Sequence, residues 1–167
     1  MDLRTTDPAQ DGFNYWGSGT VSLGNANNFS LVPGRYDNNQ KNEQDKEYIA
    51  YLWTSVPGYS AFGSYIGNGN ADGPFVYCGF RPAFVLVKAT NTAADWYITD
   101  TTVNNSNPCD NYFIPNGTGV EGTFTHMDIL SNGFKIRVNT SNWNQDGITH
   151  IYAAFAENPF QSPTTAR

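Results

Sequence analysis

The sequence has little charge, few cysteines and no long apolar run. Charged residues make up 14% of its 167 residues, against about 25% in an ordinary globular protein. The net charge of −6 argues against nucleic acid and anionic membrane surfaces, because both require a basic face. No stretch approaches the roughly 20 apolar residues of a spanning helix, and the first residues lack the apolar core of a signal peptide. We therefore expect neither nucleic acid nor a membrane as a partner.

The residues that usually perform catalysis or bind metals are also scarce. The only cysteines are Cys78 and Cys109, which lack the Cys-x-x-Cys spacing of a metal site. Two free thiols are favoured, and a single disulfide is the alternative. The only histidines, His126 and His150, lack a His-x-x-x-His or His-x-Glu context, and we expect them on the surface or in loops. This inventory does not indicate a nucleophile with its base.

Acidic residues are present in number, but their pattern does not indicate a catalytic pair. Glycoside hydrolysis needs two carboxyl groups about 5–9 Å apart, and nothing in the sequence points to such a pair. Asp95 and Asp100 lie at the ends of a predicted strand, where we expect them to accept hydrogen bonds in turns. The Asp-x-Asn-x-Asp spacing of a calcium loop is absent. We predict that the protein is not an enzyme and has no catalytic residues, metal or cofactor.

Aromatic residues, at 15% of the chain, together with many Asn, Thr, Ser and Gly residues, indicate a β-protein with polar turns. No stretch of ten residues shows a clean helical period, and about nine to eleven short strands are predicted. The fold class is therefore an all-β antiparallel β-sandwich, jelly-roll or lectin-like, with few or no helices. Residues 79–88 are predicted to form a central strand buried on both faces, and residues 48–53 another buried strand. In residues 134–138, Phe134, Ile136 and Val138 should face the core.

The predicted domain organisation has three parts. Residues 1–12 form an extended N-terminal arm, residues 13–160 a single β-sandwich domain, and residues 161–167 a C-terminal tail. Within the domain, the chain contains an internal similarity. The segments at residues 28–31 and 48–52 resemble those at residues 133–136 and 151–155 in spacing and composition. The similarity suggests a partial repeat, 13–53, followed by a full repeat, 54–160. The alternative is that two antiparallel strand pairs merely look alike.

One loop has the chemistry of a sugar-binding site. Trp143 lies among amides and a carboxylate, and a flat indole ring can cover the apolar face of a sugar while amides bond its hydroxyls. The candidate glycan-binding residues are Trp143, Asn142, Asn144, Asp146, Trp16 and Tyr36. The alternative is that Trp143 closes a loop over the end of the sandwich.

A series of motifs rich in glycine and aromatic residues runs through residues 48–160. In chain order they include Val56-Pro57-Gly58-Tyr59, Gly63-Ser64-Tyr65-Ile66-Gly67-Asn68-Gly69, Asp72-Gly73-Pro74-Phe75-Val76, Gly79-Phe80-Arg81-Pro82, Leu130-Ser131-Asn132-Gly133-Phe134 and Tyr152-Ala153-Ala154-Phe155. Together they resemble a repeat unit of virion proteins of tailed bacteriophages, where it often stands beside lectin-like sandwich domains.

The resemblance implies a structural protein of a bacteriophage virion, assembled in the host cytoplasm. For a short chain without a stalk, the expected role is a capsid decoration or cement protein. Its expected partners are the major capsid protein or other virion proteins, with a closed homotrimer as its own assembly. The alternative is a tail-fibre or receptor-binding lectin-like module that binds a host surface glycan. The resemblance brings no catalytic residues with it.

Overall fold

The computed structural model describes residues 22–25, 28–30, 47 and 51–159, and these residues form strands with a single short helix. The elements are β1 (Ser22–Asn25), β2 (Asn28–Ser30), β3 (Ser60–Ile66), β4 (Phe75–Tyr77), β5 (Pro82–Ala89), β6 (Trp96–Asp100), β7 (Cys109–Tyr112), β8 (Gly122–Leu130), β9 (Gly133–Ile136), α1 (Ser141–Asn144) and β10 (Thr149–Ala156). Within this part of the chain, no helix has the length and apolar character of a membrane span.

Eight of the strands form two antiparallel four-stranded sheets. The first sheet has the order β3-β10-β5-β6 and the second has the order β4-β9-β8-β7. One apolar core contains side chains from both sheets, including Val87 of the first and Phe134 of the second. The predicted all-β antiparallel sandwich with few helices is confirmed.

The central strand of the prediction is β5. It pairs with β10 on one side and with β6 on the other, so it is internal to the first sheet. Val85 and Val87 are fully buried in the core, whereas Phe84 and Leu86, which alternate with them, are only partly buried. The strand is therefore central as predicted, but its outer face is covered only in part.

The hairpin of β8 and β9 has the predicted register. Phe134 and Ile136 are fully buried and Val138 nearly so, while Arg137 is exposed and Lys135 is partly exposed. The tight approach of β4 explains the glycine that begins β9, because a Cβ atom at Gly133 would overlap the carbonyl oxygen of Val76.

The prediction for residues 48–53 is wrong where the structure can test it. Residues 48–50 lie outside the described residues, but Tyr51, Leu52 and Trp53 are not in a strand, and their exposed fractions are 73%, 72% and 66%. An apolar run becomes a buried strand only where it can pair with the edge of a sheet and pack its side chains against a core. No strand of the described residues pairs with this segment.

The chain divides into two compact units, one comprising Gln10–Trp53 and the other comprising Thr54–Arg167 together with Met1–Ala9. The boundary after Trp53 coincides with the end of the predicted partial repeat. In the first of these units Asn25 pairs with Asn28, and in the second Leu130 pairs with Gly133. The second pair follows the first along the chain at the same distance at which residues 133–136 follow residues 28–31. These matching hairpins support the repeat, which stays a prediction. The predicted arm, 1–12, and tail, 161–167, lie outside the described residues.

Candidate functional site

Trp143, the centre of the predicted glycan-binding site, is a core residue. It lies in α1 and is 1% exposed. Its ring centroid lies 4.5 Å from that of His126 and 4.6 Å from that of Tyr97. The faces of the indole are therefore occupied by other side chains, so the ring predicted as a sugar platform has no free face for a sugar. The aromatic cluster that holds the ring comprises Tyr97, Tyr112, Phe124 and His126.

Asn144, the next predicted glycan contact on α1, is fully buried and uses its amide inside the protein. Its Nδ2 donates to the carbonyl oxygens of Asn70 and Val138 and to Oδ1 of Asn68, and its Oδ1 accepts from the backbone N–H of Asn68. These bonds hold residues 68–70 against α1. Gly67 belongs to the same contact, because a Cβ atom there would overlap the carbonyl oxygen of Gln145. Asn144 is therefore a bracing residue rather than a ligand contact.

The other predicted glycan contacts do not form a site around Trp143. Asn142 donates to the hydroxyl of Tyr97 at 2.7 Å, so it too supports the aromatic cluster. Asp146 is exposed, and its Cβ lies close to Gly69. Trp16 and Tyr36 lie outside the described residues.

Both histidines are fully buried in strands, which corrects the expectation of surface or loop positions. His126 and Met127 are adjacent in β8 and both are buried, so the usual alternation of a strand is interrupted there. The pairing of β7 with β8 has a register shift at this place. Nδ1 of His126 lies 2.9 Å from the carbonyl oxygen of Phe124, and Nε2 lies 2.8 Å from the hydroxyl of Thr99. A neutral ring that donates from Nδ1 and accepts at Nε2 satisfies both contacts. Burial lowers the pKa of His126, which favours this neutral form.

The cysteines and carboxylates do not form a catalytic arrangement in the described residues. Cys78 and Cys109 are free thiols, and burial raises the pKa of each to about 11, so neither is an activated nucleophile. Asp100 accepts a hydrogen bond from the N–H of Thr102, which confirms its role as a turn acceptor. No group of three or more His, Cys, Asp or Glu residues there could hold a metal ion.

Aromatic and charged side chains are exposed on the outer face of the second sheet. Phe75 and Tyr77 of β4 are 46% and 67% exposed, and Phe75 lies opposite Lys135 of β9, which lies opposite Asp128 of β8. With Arg137, these residues form what we call the Phe75–Tyr77 face.

Two ion pairs order the polar part of the Phe75–Tyr77 face. Lys135 pairs with Asp72 at 2.8 Å, and Arg137 pairs with Asp128 at 2.9 Å. This face was not predicted from the sequence. The available signal was the three-residue run of β-forming residues, Phe75 to Tyr77, which follows Pro74 and ends two positions before Gly79.

Comparison with protein families places almost the whole chain in one of them. The family model for DUF7483, a domain of unknown function, matches residues 1–159. The chain belongs to this family. The description of DUF7483 assigns no activity, ligand or partner, and the match extends over residues of both compact units. No curated protein and no solved structure matched the chain.

Proposed function

We propose that this DUF7483 domain is a non-catalytic structural component of a bacteriophage virion, most simply a capsid decoration protein. The phage assignment rests on the motif resemblance within residues 48–160. The role as a contact module rests on how the domain uses its side chains. Several polar residues of the kind used for binding or catalysis, among them Asn144 and His126, are committed to internal bonds. Aromatic side chains, by contrast, are presented to solvent at Phe75 and Tyr77.

The observation that carries the proposal is the exposure of Phe75 and Tyr77 on an edge strand of the sandwich. Exposed aromatic residues are enriched at protein interfaces, because a large side chain with few rotatable bonds loses little entropy on binding. The neighbouring ion pairs of Lys135 and Arg137 provide the polar rim that such interfaces have. The partner proposed for this surface is the major capsid protein or another virion protein.

Mass spectrometry of purified particles tests the virion proposal directly. A decoration protein should be present in hundreds of copies per particle, whereas a tail component should be present in a few dozen at most. The absence of the protein from particles purified to constant composition would overturn the virion assignment.

The second candidate is a receptor-binding, lectin-like module. The Phe75–Tyr77 face favours it, because two exposed rings lie beside charged groups that can bond sugar hydroxyls. If this candidate is correct, Tyr77→Ala should abolish glycan-array binding of the isolated protein. Val120→Ala is the matched control, because Val120 is 95% exposed in the connection between β7 and β8. No signal with the unchanged protein would remove this candidate and leave the virion proposal intact.

A further inference from the structure

The four edge strands of the sandwich differ in how their outward backbone groups are satisfied. At the β6 edge, the N–H of Trp96 donates to Asn116 Oδ1, and Ile98 exchanges two hydrogen bonds with Phe113. The carbonyl oxygen of Asp100 accepts from the N–H of Asn104. The chain itself therefore covers this edge of the first sheet, which protects it from pairing with another strand.

The edge at β7 is also covered, and the edge at β3 is covered over half its length. At β7, Asn104 Oδ1 accepts from the N–H groups of Asp110 and Asn111. At β3, the N–H of Ser60 donates to the carbonyl oxygen of Val56, and the N–H of Phe62 donates to Ser55 Oγ. The remaining half of β3, which ends at Ile66, has no such cover among the described residues.

The edge at β4 is different. Residues 74–78 use every second residue to bond with β9 and the turn that precedes it. The N–H of Ile136 donates to the carbonyl oxygen of Pro74, and the N–H of Cys78 donates to the carbonyl oxygen of Asn132. Because backbone groups alternate sides along a strand, the N–H and C=O groups of Phe75 and Tyr77 face away from β9. In the described part of the chain, no residue supplies these four groups with a hydrogen-bond partner. An open edge with two exposed rings is a template for pairing with another strand.

We propose that β4 pairs antiparallel with β4 of a second copy of this chain, about a two-fold axis at Val76. In this register Phe75 of one copy lies opposite Tyr77 of the other, and each such pair exchanges two backbone hydrogen bonds. All four outward groups of each strand are then satisfied. The second sheet of one copy then joins the second sheet of the other into one continuous sheet. The four aromatic side chains lie together on its outer face.

The self-complementary sequence of β4 is the reason to choose a second copy as the occupant. One aromatic residue stands on each side of the central Val76, so the two-fold register pairs ring with ring and leaves no charge opposite a charge. The area available is small. With 46% and 67% of their surface exposed, the two rings of each copy can contribute at most roughly 200–250 Å² to the interface. The pair therefore falls below the size of a stable interface, and the association should be weak and concentration-dependent.

Hydrogen exchange of the full chain, measured by NMR at two protein concentrations, tests the pairing at the groups concerned. For a dissociation constant near 0.1 mM, exchange at the Phe75 and Tyr77 amides should slow by about fourfold between about 20 µM and about 1 mM. The amide of Ile66, on the other uncovered edge, should exchange at the same rate at both concentrations. If Phe75 and Tyr77 exchange at the same rate at both concentrations, no pairing through β4 occurs and the proposal is overturned.

Sedimentation of two matched variants separates the two uncovered edges. Tyr77→Lys places a charge in the proposed contact and should reduce the dimer to monomer over the same concentration range. Ile66→Lys is the control, because Ile66 is 64% exposed at the end of β3 and should leave the dimer unchanged. Loss of association only in Ile66→Lys, or a trimer that Tyr77→Lys leaves intact, would contradict the proposal. The two-fold pairing uses the same two exposed residues as the virion proposal, but its failure is distinguishable from a failure of that proposal, because neither experiment uses particles.

Discussion

Two aromatic sites in this domain, the cluster around Trp143 and the Phe75–Tyr77 face, have opposite surroundings. Trp143 is buried in the apolar core and the rings around it are buried or partly buried, whereas Phe75 and Tyr77 present theirs to solvent on an edge strand. The difference lies in the long-range contacts. Asn144 and Gly67 bring a loop from far along the chain against α1 and close that end of the sandwich. No comparable segment of the described residues covers β4. An aromatic residue in a polar loop is therefore a ligand contact only where the amides beside it remain available.

The largest effect should come from removing the buried ring. Trp143→Ala should lower the free energy of unfolding by about 3–5 kcal/mol, because it leaves a cavity among four aromatic neighbours. Chemical denaturation monitored by circular dichroism measures this. Trp143→Phe, which keeps a ring, should recover part of the loss. A near-neutral Trp143→Ala variant that stays folded would place the side chain at the surface and revive the sugar-platform interpretation.

The next effect should come from the amide that braces the loop. Asn144→Ala should cost about 1–3 kcal/mol, because it leaves the buried carbonyl oxygen of Val138 and the other partners of the amide without their bonds. Asn139→Ala is the matched control, since Asn139 is exposed and near the same segment. We expect that control to change the unfolding free energy by less than about 0.5 kcal/mol. Equal losses in the two variants would show that the bonds of Asn144 do not stabilise the fold.

These two sites also show what could be read from the sequence. The alternation of Phe134, Ile136 and Val138 predicted their burial correctly, because one strand's pattern is enough to define which side faces a core. Tyr51 and Leu52 were predicted to be buried on the same kind of local argument, which failed because burial also requires an open sheet edge. Local composition cannot supply that information.

The candidate site was harder to predict than the fold. The polar residues beside Trp143 looked available because their partners are distant in sequence, as Asn68 is from Asn144. The exposed Phe75–Tyr77 face was missed for the opposite reason. Its three-residue strand is too short to give a clear alternation, and its exposure depends on β4 being at the edge of a sheet.

A smaller effect should come from acid. His126 is buried in neutral form and its pKa is lowered, so the native state binds fewer protons than the unfolded state below about pH 6.5. Stability from this group is complete above that pH and is lost as the pH falls towards the lowered pKa. The free energy of unfolding should therefore fall between pH 7 and pH 5. Denaturation of His126→Phe at both pH values provides the comparison, because the variant lacks the group. An equal pH dependence in the variant would contradict a contribution from His126.

The smallest effect should come from the exposed ring. Tyr77→Ala should change the free energy of unfolding by less than about 0.5 kcal/mol in dilute protein, because Tyr77 is 67% exposed. This small value would distinguish the Phe75–Tyr77 face from the aromatic cluster at Trp143. A ring that does not contribute to the free energy of unfolding is available for contacts with another molecule. Denaturation at low and high protein concentration measures both properties. A loss of about 2 kcal/mol or more at low concentration would instead make Tyr77 part of the fold. The contrast between the two aromatic sites would then be one of exposure alone.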